Sequence, residues 1–255
     1  MRAEIPKTAL VTGAAKRIGR AIALDLAERG FAVGIHCHTA VDAANAVRAE
    51  IEAAGGRAAV LSCDLRDPAA MRRLIPECAE ALGPVGVLVN NASVFEPDGP
   101  GDFDDTVWDA HMALHVKAPV YLASALAAGL PDGADGVVVN MIDQRVLALR
   151  PTFISYTLSK SALWTATQTL AQALAPRVRV CGIAPGPALM NTRQSPDQFA
   201  AQQDSVLLKR GPELAEICNT VRFILDTPSM TGTLTPLDGG QHLAWETPDV
   251  MSAGD

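Results

Sequence analysis

The sequence predicts an α/β fold: one doubly wound domain, with a seven-stranded parallel sheet and helices on both faces. Short apolar runs alternate with longer helical patterns from end to end, and strands joined through helices run parallel. The runs are close to continuously apolar, as in strands covered on both faces. No Ser/Gly-rich linker, composition shift or internal repeat divides the 255 residues, so residues 1–255 read as a single domain.

In order, the strands are read at Thr8–Thr12, Ala32–His36, Ala58–Ser62, Val85–Asn90, Gly136–Ile142, Val178–Ile183 and Gly232–Leu237. Helical patterns lie between them at Ile18–Glu28, Val41–Ala53, Pro68–Leu82, Thr106–Ala128, Ile154–Ala175 and Pro212–Leu225. The polar, Gln-rich stretch Gln194–Leu208, within a variable segment spanning 186–208, reads as a mobile lid. Two helices are nearly uncharged: Lys160 is alone in Ile154–Ala175, and Thr106–Ala128 holds only Asp109 and Lys117. A helix without a charged face is buried on more than one side, which predicts a second subunit against these two.

Composition narrows the function. A net charge of −7 argues against nucleic acid as the main partner, while local basic residues could still hold an anionic cofactor. Five dispersed cysteines (Cys37, Cys63, Cys78, Cys181 and Cys218) without a Cys-x-x-Cys pair read as reduced thiols. The His and Cys spacing forms no metal site, and no stretch has the length and apolarity of a membrane span. The start, Met-Arg-Ala-Glu-Ile-Pro, runs into a strand rather than a signal peptide. The expectation is a soluble cytoplasmic protein acting on a small molecule, with no metal, membrane or nucleic acid.

Ligands of such sheets bind outside the carboxyl ends of the strands. The first end is Thr12-Gly-Ala-Ala-Lys-Arg-Ile-Gly19, whose outer glycines allow a tight turn that delivers a helix N-terminus to a pyrophosphate. The second, Ile35-His-Cys-His-Thr39, lacks the carboxylate that would repel a 2′-phosphate. With Lys16, Arg17, His36 and His38 nearby, NADPH is favoured over NADH; solvated surface is the competing reading of the basic pair. Asp143 follows the apolar run Val137–Ile142. Tyr156 and Lys160, four apart, share one helix face, where an ammonium would lower the phenol pKa.

These motifs together resemble the short-chain dehydrogenase/reductases over nearly the full length. Six stand in the family's order: Thr12-Gly…Gly19, Asp64-Leu65, Asn90-Asn-Ala-Ser93, Tyr156-x-x-x-Lys160, Pro185-Gly186 and Leu237-Asp-Gly-Gly240. Within the family the chain is most similar to pteridine and dihydromonapterin reductases. It shares Arg17 inside the first turn, His36-Cys-His38, Asn91-Ala-Ser-Val-Phe95, and aspartate at 143 where most relatives carry serine. The resemblance implies a Rossmann domain, NADP(H) as cofactor, and a homotetramer. It implies Tyr156 as acid, Lys160 as its partner and holder of the nicotinamide ribose, and Asp143 as a further proton-handling group. It implies Phe95, Ser93, Asp143 and Tyr156 at the substrate. Gly13, Arg17, Ile18, Gly19, His36, His38, Thr39, Asp64, Leu65, Asn91, Ala92, Ser93, Tyr156, Lys160, Pro185 and Gly186 would line the cofactor.

Thr39 replaces an arginine frequent in pteridine reductases, and His115 replaces the family's catalytic asparagine. Pro119 has no N–H for the carbonyl of His115, the carbonyl that holds a relay water in the family. Three accounts of His115 stand: its freed carbonyl suffices, its ring titrates in the relay, or it only packs. The rival functions are reduction of another carbonyl (a 3-oxoacyl thioester, sugar or small ketone) and a catalytically silent dinucleotide sensor. The sensor would be expected to have lost Tyr156 or Lys160.

Overall fold

The computed structural model describes residues 4–191 and 193–245. The strands are β1 (Thr8–Val11), β2 (Ala32–Cys37), β3 (Ala58–Ser62), β4 (Val85–Asn90), β5 (Gly136–Met141), β6 (Val178–Pro185) and β7 (Leu234–Leu237). They form one parallel seven-stranded sheet in the order β3-β2-β1-β4-β5-β6-β7. The chain winds outward from β1 to β3 and then crosses back to β4. The carboxyl ends of β1 and β4 therefore flank the point where the strand order reverses.

Alternation along each strand explains the apolar runs. Ala9 and Val11, Val87 and Val89, and Val137 and Val139 face one core with Ile22, Leu26 and Val221. Leu10, Leu88 and Val138 face the other core with Leu74, Leu122 and Leu126. The first core is covered by α1 (Arg17–Glu28), α2 (Val41–Ala53) and α8 (Leu214–Asp226). The second lies under α3 (Pro68–Leu82), α5 (Ala118–Gly129) and α6 (Ile154–Leu174). A strand with helices on both sides has no polar face to show, so every position reads as apolar.

Two elements differ from the sequence reading. The single helix expected at Thr106–Ala128 is α4 (Asp105–Met112) and α5, joined by a π-helical segment, Ala113–Lys117. There the N–H of Ala118 reaches back to the carbonyl of Ala113. Pro119, which cannot donate in an α-helical ladder, stands just beyond this segment. The expected lid contains α7 (Pro196–Asp204), opened by a capping box between Ser195 and Gln198. It buries no residue, so no apolar periodicity announced it. Among the described residues no helix is long and apolar enough to cross a membrane, and no cluster of His, Cys, Asp or Glu could hold a metal.

Candidate active site

The first turn and the segment after β4 are built as one piece. Thr12 Oγ1 accepts from the amides of Asn91 and Ala92 at 2.9 and 3.0 Å, and Asn91 Nδ2 donates to Thr12 O at 2.8 Å. A Cβ at Gly19 would lie 2.3 Å from the carbonyl oxygen of Gly13, so only glycine allows this approach. Arg17 takes the left-handed backbone (φ 56°), which costs about 1–2 kcal/mol for a residue with a side chain. Lys16 caps α1 without a side-chain hydrogen bond, and no acid stands in the first turn. N–H groups that no described side chain caps, beside two basic residues, fit the pyrophosphate of a dinucleotide. Ile18 packs inward on the core. Arg17 itself donates to the carbonyls of Met190 (2.9 Å) and Leu189 (3.3 Å), tying this turn to the loop after β6. Gly186, which begins that loop, donates its N–H to Leu237 O at 2.8 Å, so Pro185 and Gly186 lie against β7.

The two histidines ending β2 have different environments. His36 is buried; its Nδ1 accepts from Gly13 N at 3.1 Å, and its Nε2 lies 3.1 Å from Cys63 O. Burial lowers its pKa to about 4, so the expectation of a basic His36 beside a phosphate is corrected: it is a neutral brace between the first turn and β3. His38 is exposed, 3.7 Å from Asp64, and Thr39 beside it is also exposed. Asp64 binds Arg66 through both carboxylate oxygens, and Leu65 is buried beneath.

Asp143, Tyr156 and Lys160 meet at the end of β5. Tyr156 donates its hydroxyl to Asp143 Oδ2 at 2.8 Å, and Asp143 Oδ1 accepts from the Arg145 amide at 2.9 Å. Lys160, 3% exposed, donates to Met141 O at 2.8 Å, with its Nζ 5.7 Å from the Tyr156 ring centroid. The expected lowering of the phenol pKa does not occur. Burial, with the Asp143 charge acting the same way, holds the Tyr156 pKa well above its usual value. Burial also raises Asp143, and lowers Lys160 to about 8. The phenol is kept protonated with its hydroxyl on a carboxylate, as a proton donor requires.

Phe95 meets Tyr156 edge-on, centroids 4.7 Å apart, and stacks on Phe153 at 4.2 Å. The guanidinium of Arg145 lies 5.7 Å and that of Arg193 5.3 Å from the Phe95 ring centre. Sequence reasoning missed Phe153, Arg145 and Arg193. Phe153 caps α6 in the left-handed conformation (φ 57°), its N–H donating to Asp98 O at 3.1 Å; a non-glycine residue there carries no local sequence signature. His115 is buried, with Ser93 Oγ 2.9 Å from its Nε2 and Ser159 Oγ 2.8 Å from its Nδ1. Burial first, then the Lys160 charge, hold it well below the usual histidine pKa, against titration near neutrality. His111, also missed, lies parallel to it with ring centres 5.5 Å apart.

A buried Tyr/Lys pair at the end of β5, one strand from the switch point of a doubly wound sheet that carries a glycine turn at a helix N-terminus, defines a dinucleotide-dependent oxidoreductase. The chain belongs to the short-chain dehydrogenase family, whose model, described as short chain dehydrogenase, matches residues 7–201. Among solved structures it is similar to FolM alternative dihydrofolate reductase 1 from Brucella suis in complex with NADP: 52% identical, covering 98% of this chain and 99% of that one, TM-score 0.93. The same protein from Brucella canis, complexed with NADP, is 50% identical over 98% and 99% of the chains, TM-score 0.94. A curated relative is the 3-oxoacyl-[acyl-carrier-protein] reductase FabG of Staphylococcus epidermidis, 29% identical over 93% of this chain and 99% of its own.

Proposed function

We propose that the protein is an NADPH-dependent reductase of pterin-type heterocycles. The observation that carries this reading is the Tyr156–Asp143 hydrogen bond, two proton-handling groups joined at 2.8 Å beside the Phe95 ring. A ketone needs one proton donor; a pterin presents ring nitrogens as well as the carbon that accepts hydride, and a carboxyl group can serve those. The two FolM neighbours, each in complex with NADP, support both substrate class and cofactor.

The cofactor's place would be along Gly13, Arg17, Gly19, His38, Thr39, Asp64, Leu65, Asn91, Ala92, Ser93, Pro185 and Gly186, with His36 bracing the wall. NADPH bound there supplies the hydride. Tyr156 gives its hydroxyl proton to the reduced substrate, and Asp143 orients the phenol and shares protons with it. Lys160 holds the nicotinamide ribose and keeps a positive charge beneath the site. Phe95 stacks the heterocycle, and α7 with the rest of 186–208 closes over it. Five free thiols and a need for reduced nicotinamide support a cytoplasmic location.

The FabG relative favours a second reading, reduction of a 3-oxoacyl thioester. A turnover panel separates them: NADPH and NADH against a dihydropterin, a quinonoid pterin, an oxoacyl thioester and a diketone. The expected result is a kcat/KM for a pterin with NADPH at least tenfold above every other pair. Preference for the thioester would overturn the pterin reading, and equal use of NADH would overturn the NADPH assignment.

A further inference from the structure

We infer that His111 and His115 are positioning residues: with Ser155 and Ser159 they form a two-rung ladder that fixes the Phe95 segment against the catalytic helix, and the ladder holds only while both imidazoles are neutral. His111 Nδ1 lies 2.7 Å from Ser155 Oγ, and His115 Nδ1 lies 2.8 Å from Ser159 Oγ. These serines stand on α6 on either side of Tyr156. On the other edge, His111 Nε2 accepts from the amide of Glu96 at 3.4 Å, and His115 Nε2 accepts from the amide of Val94 at 3.3 Å. Those two amides flank Phe95. Both imidazoles also stand edge-on to the Tyr156 ring, at 5.7 and 5.4 Å between centres. The rungs thus set the spacing between Phe95 and Tyr156 from behind.

Hydrogen-bond direction assigns the tautomer of each ring. Ser159 commits its proton to Tyr156 O at 2.7 Å, so His115 Nδ1 must donate to it and Nε2 must accept. The Glu96 and Val94 amides are donors, which requires acceptors at both Nε2 atoms. Protonation would put an N–H against an N–H on each rung and release the segment. Glu96, Asp98 and Lys160 bear on His111, with His115 stacked against it and Ser155 its hydrogen-bond partner. Lys160 and His111 bear on His115, with Ser93 and Ser159 bonded to it. Burial outweighs the two carboxylates at His111 and lowers it; His115, without a carboxylate beside it, is lowered further.

Amide hydrogen exchange on the full chain saturated with NADP tests this without reference to substrate. At about pH 7 the amides of Val94 and Glu96 should be protected, as are those of β4. As pH falls below the ordinary histidine range of about 6.5, Glu96 should lose at least tenfold of its protection first. Val94 should follow at lower pH, while β4 keeps its protection. His111→Asn and Ser155→Ala should each expose Glu96 at every pH. Each should also raise KM for the substrate that the turnover panel identifies, by a larger factor than it lowers kcat. Protection at 94 and 96 that ignores both pH and the variants would overturn the ladder. The Phe95 stacking role rests on the proposed function, but a panel in which no pterin is turned over leaves the exchange result standing by itself.

Discussion

At the residue scale the site is governed by burial more than by pairwise attraction. Lys160 carries its charge in a place that disfavours it: at about 1.4 kcal/mol per pH unit, the fall from 10.5 to about 8 corresponds to about 3 kcal/mol of stability forgone at neutral pH. Between those values the unfolded chain binds the extra proton, so stability rises with pH from about 8 to 10.5. Lys160→Met should therefore leave urea stability at pH 7 equal to or above wild type while lowering kcat/KM by about 10²-fold or more. A clear drop in stability would show that the Met141 bond outweighs the burial cost. His36 has the same consequence in the acid range. It resists protonation until about pH 4, whereas the unfolded chain takes the proton near 6.5, so stability should fall as pH drops through that window, by about 3 kcal/mol. Denaturation at pH 7 and 4.5 should show His36→Asn with a flatter slope than wild type.

At the scale of elements, the interrupted helix is the departure that bears on mechanism. The π segment Ala113–Lys117 places His115 on the wall of the site, and Pro119 denies its carbonyl an α-helical partner. Pro119→Ala would return that donor. If the carbonyl serves proton transfer, kcat should fall about tenfold or more with no loss of thermal stability. Full turnover in this variant would leave the ring of His115, through the ladder, as its whole contribution. Elements also show why part of the site was hidden. His111 meets Ser155 across 44 residues of chain, and Asp98 meets the Ser155 amide across 57. No local pattern encodes such pairings. The glycine turn and the Tyr/Lys pair were legible because each lies within a single stretch of chain.

At the scale of the molecule, α4, α5 and α6 leave Trp108, Tyr121 and Leu158 exposed on the uncharged helices noted in the sequence. The homotetramer that the family resemblance implies would cover them. Sedimentation equilibrium should give about four times the 26.7 kDa chain mass. A monomer at micromolar concentration would remove the tetramer.

The sequence by itself determined the doubly wound fold, because strands covered on both faces must be apolar at every position, and it marked the strand ends where chemistry sits. It also put forward Tyr156, Lys160 and Asp143 as candidates, since local spacing and family motifs survive without coordinates. Tertiary structure alone decided their protonation. Desolvation depends on what packs around a group, and here it overrode the expected effect of Lys160 on the phenol. It also separated His36 from His38: β2 ends at Cys37, so one ring lies inside the fold and the other in solvent.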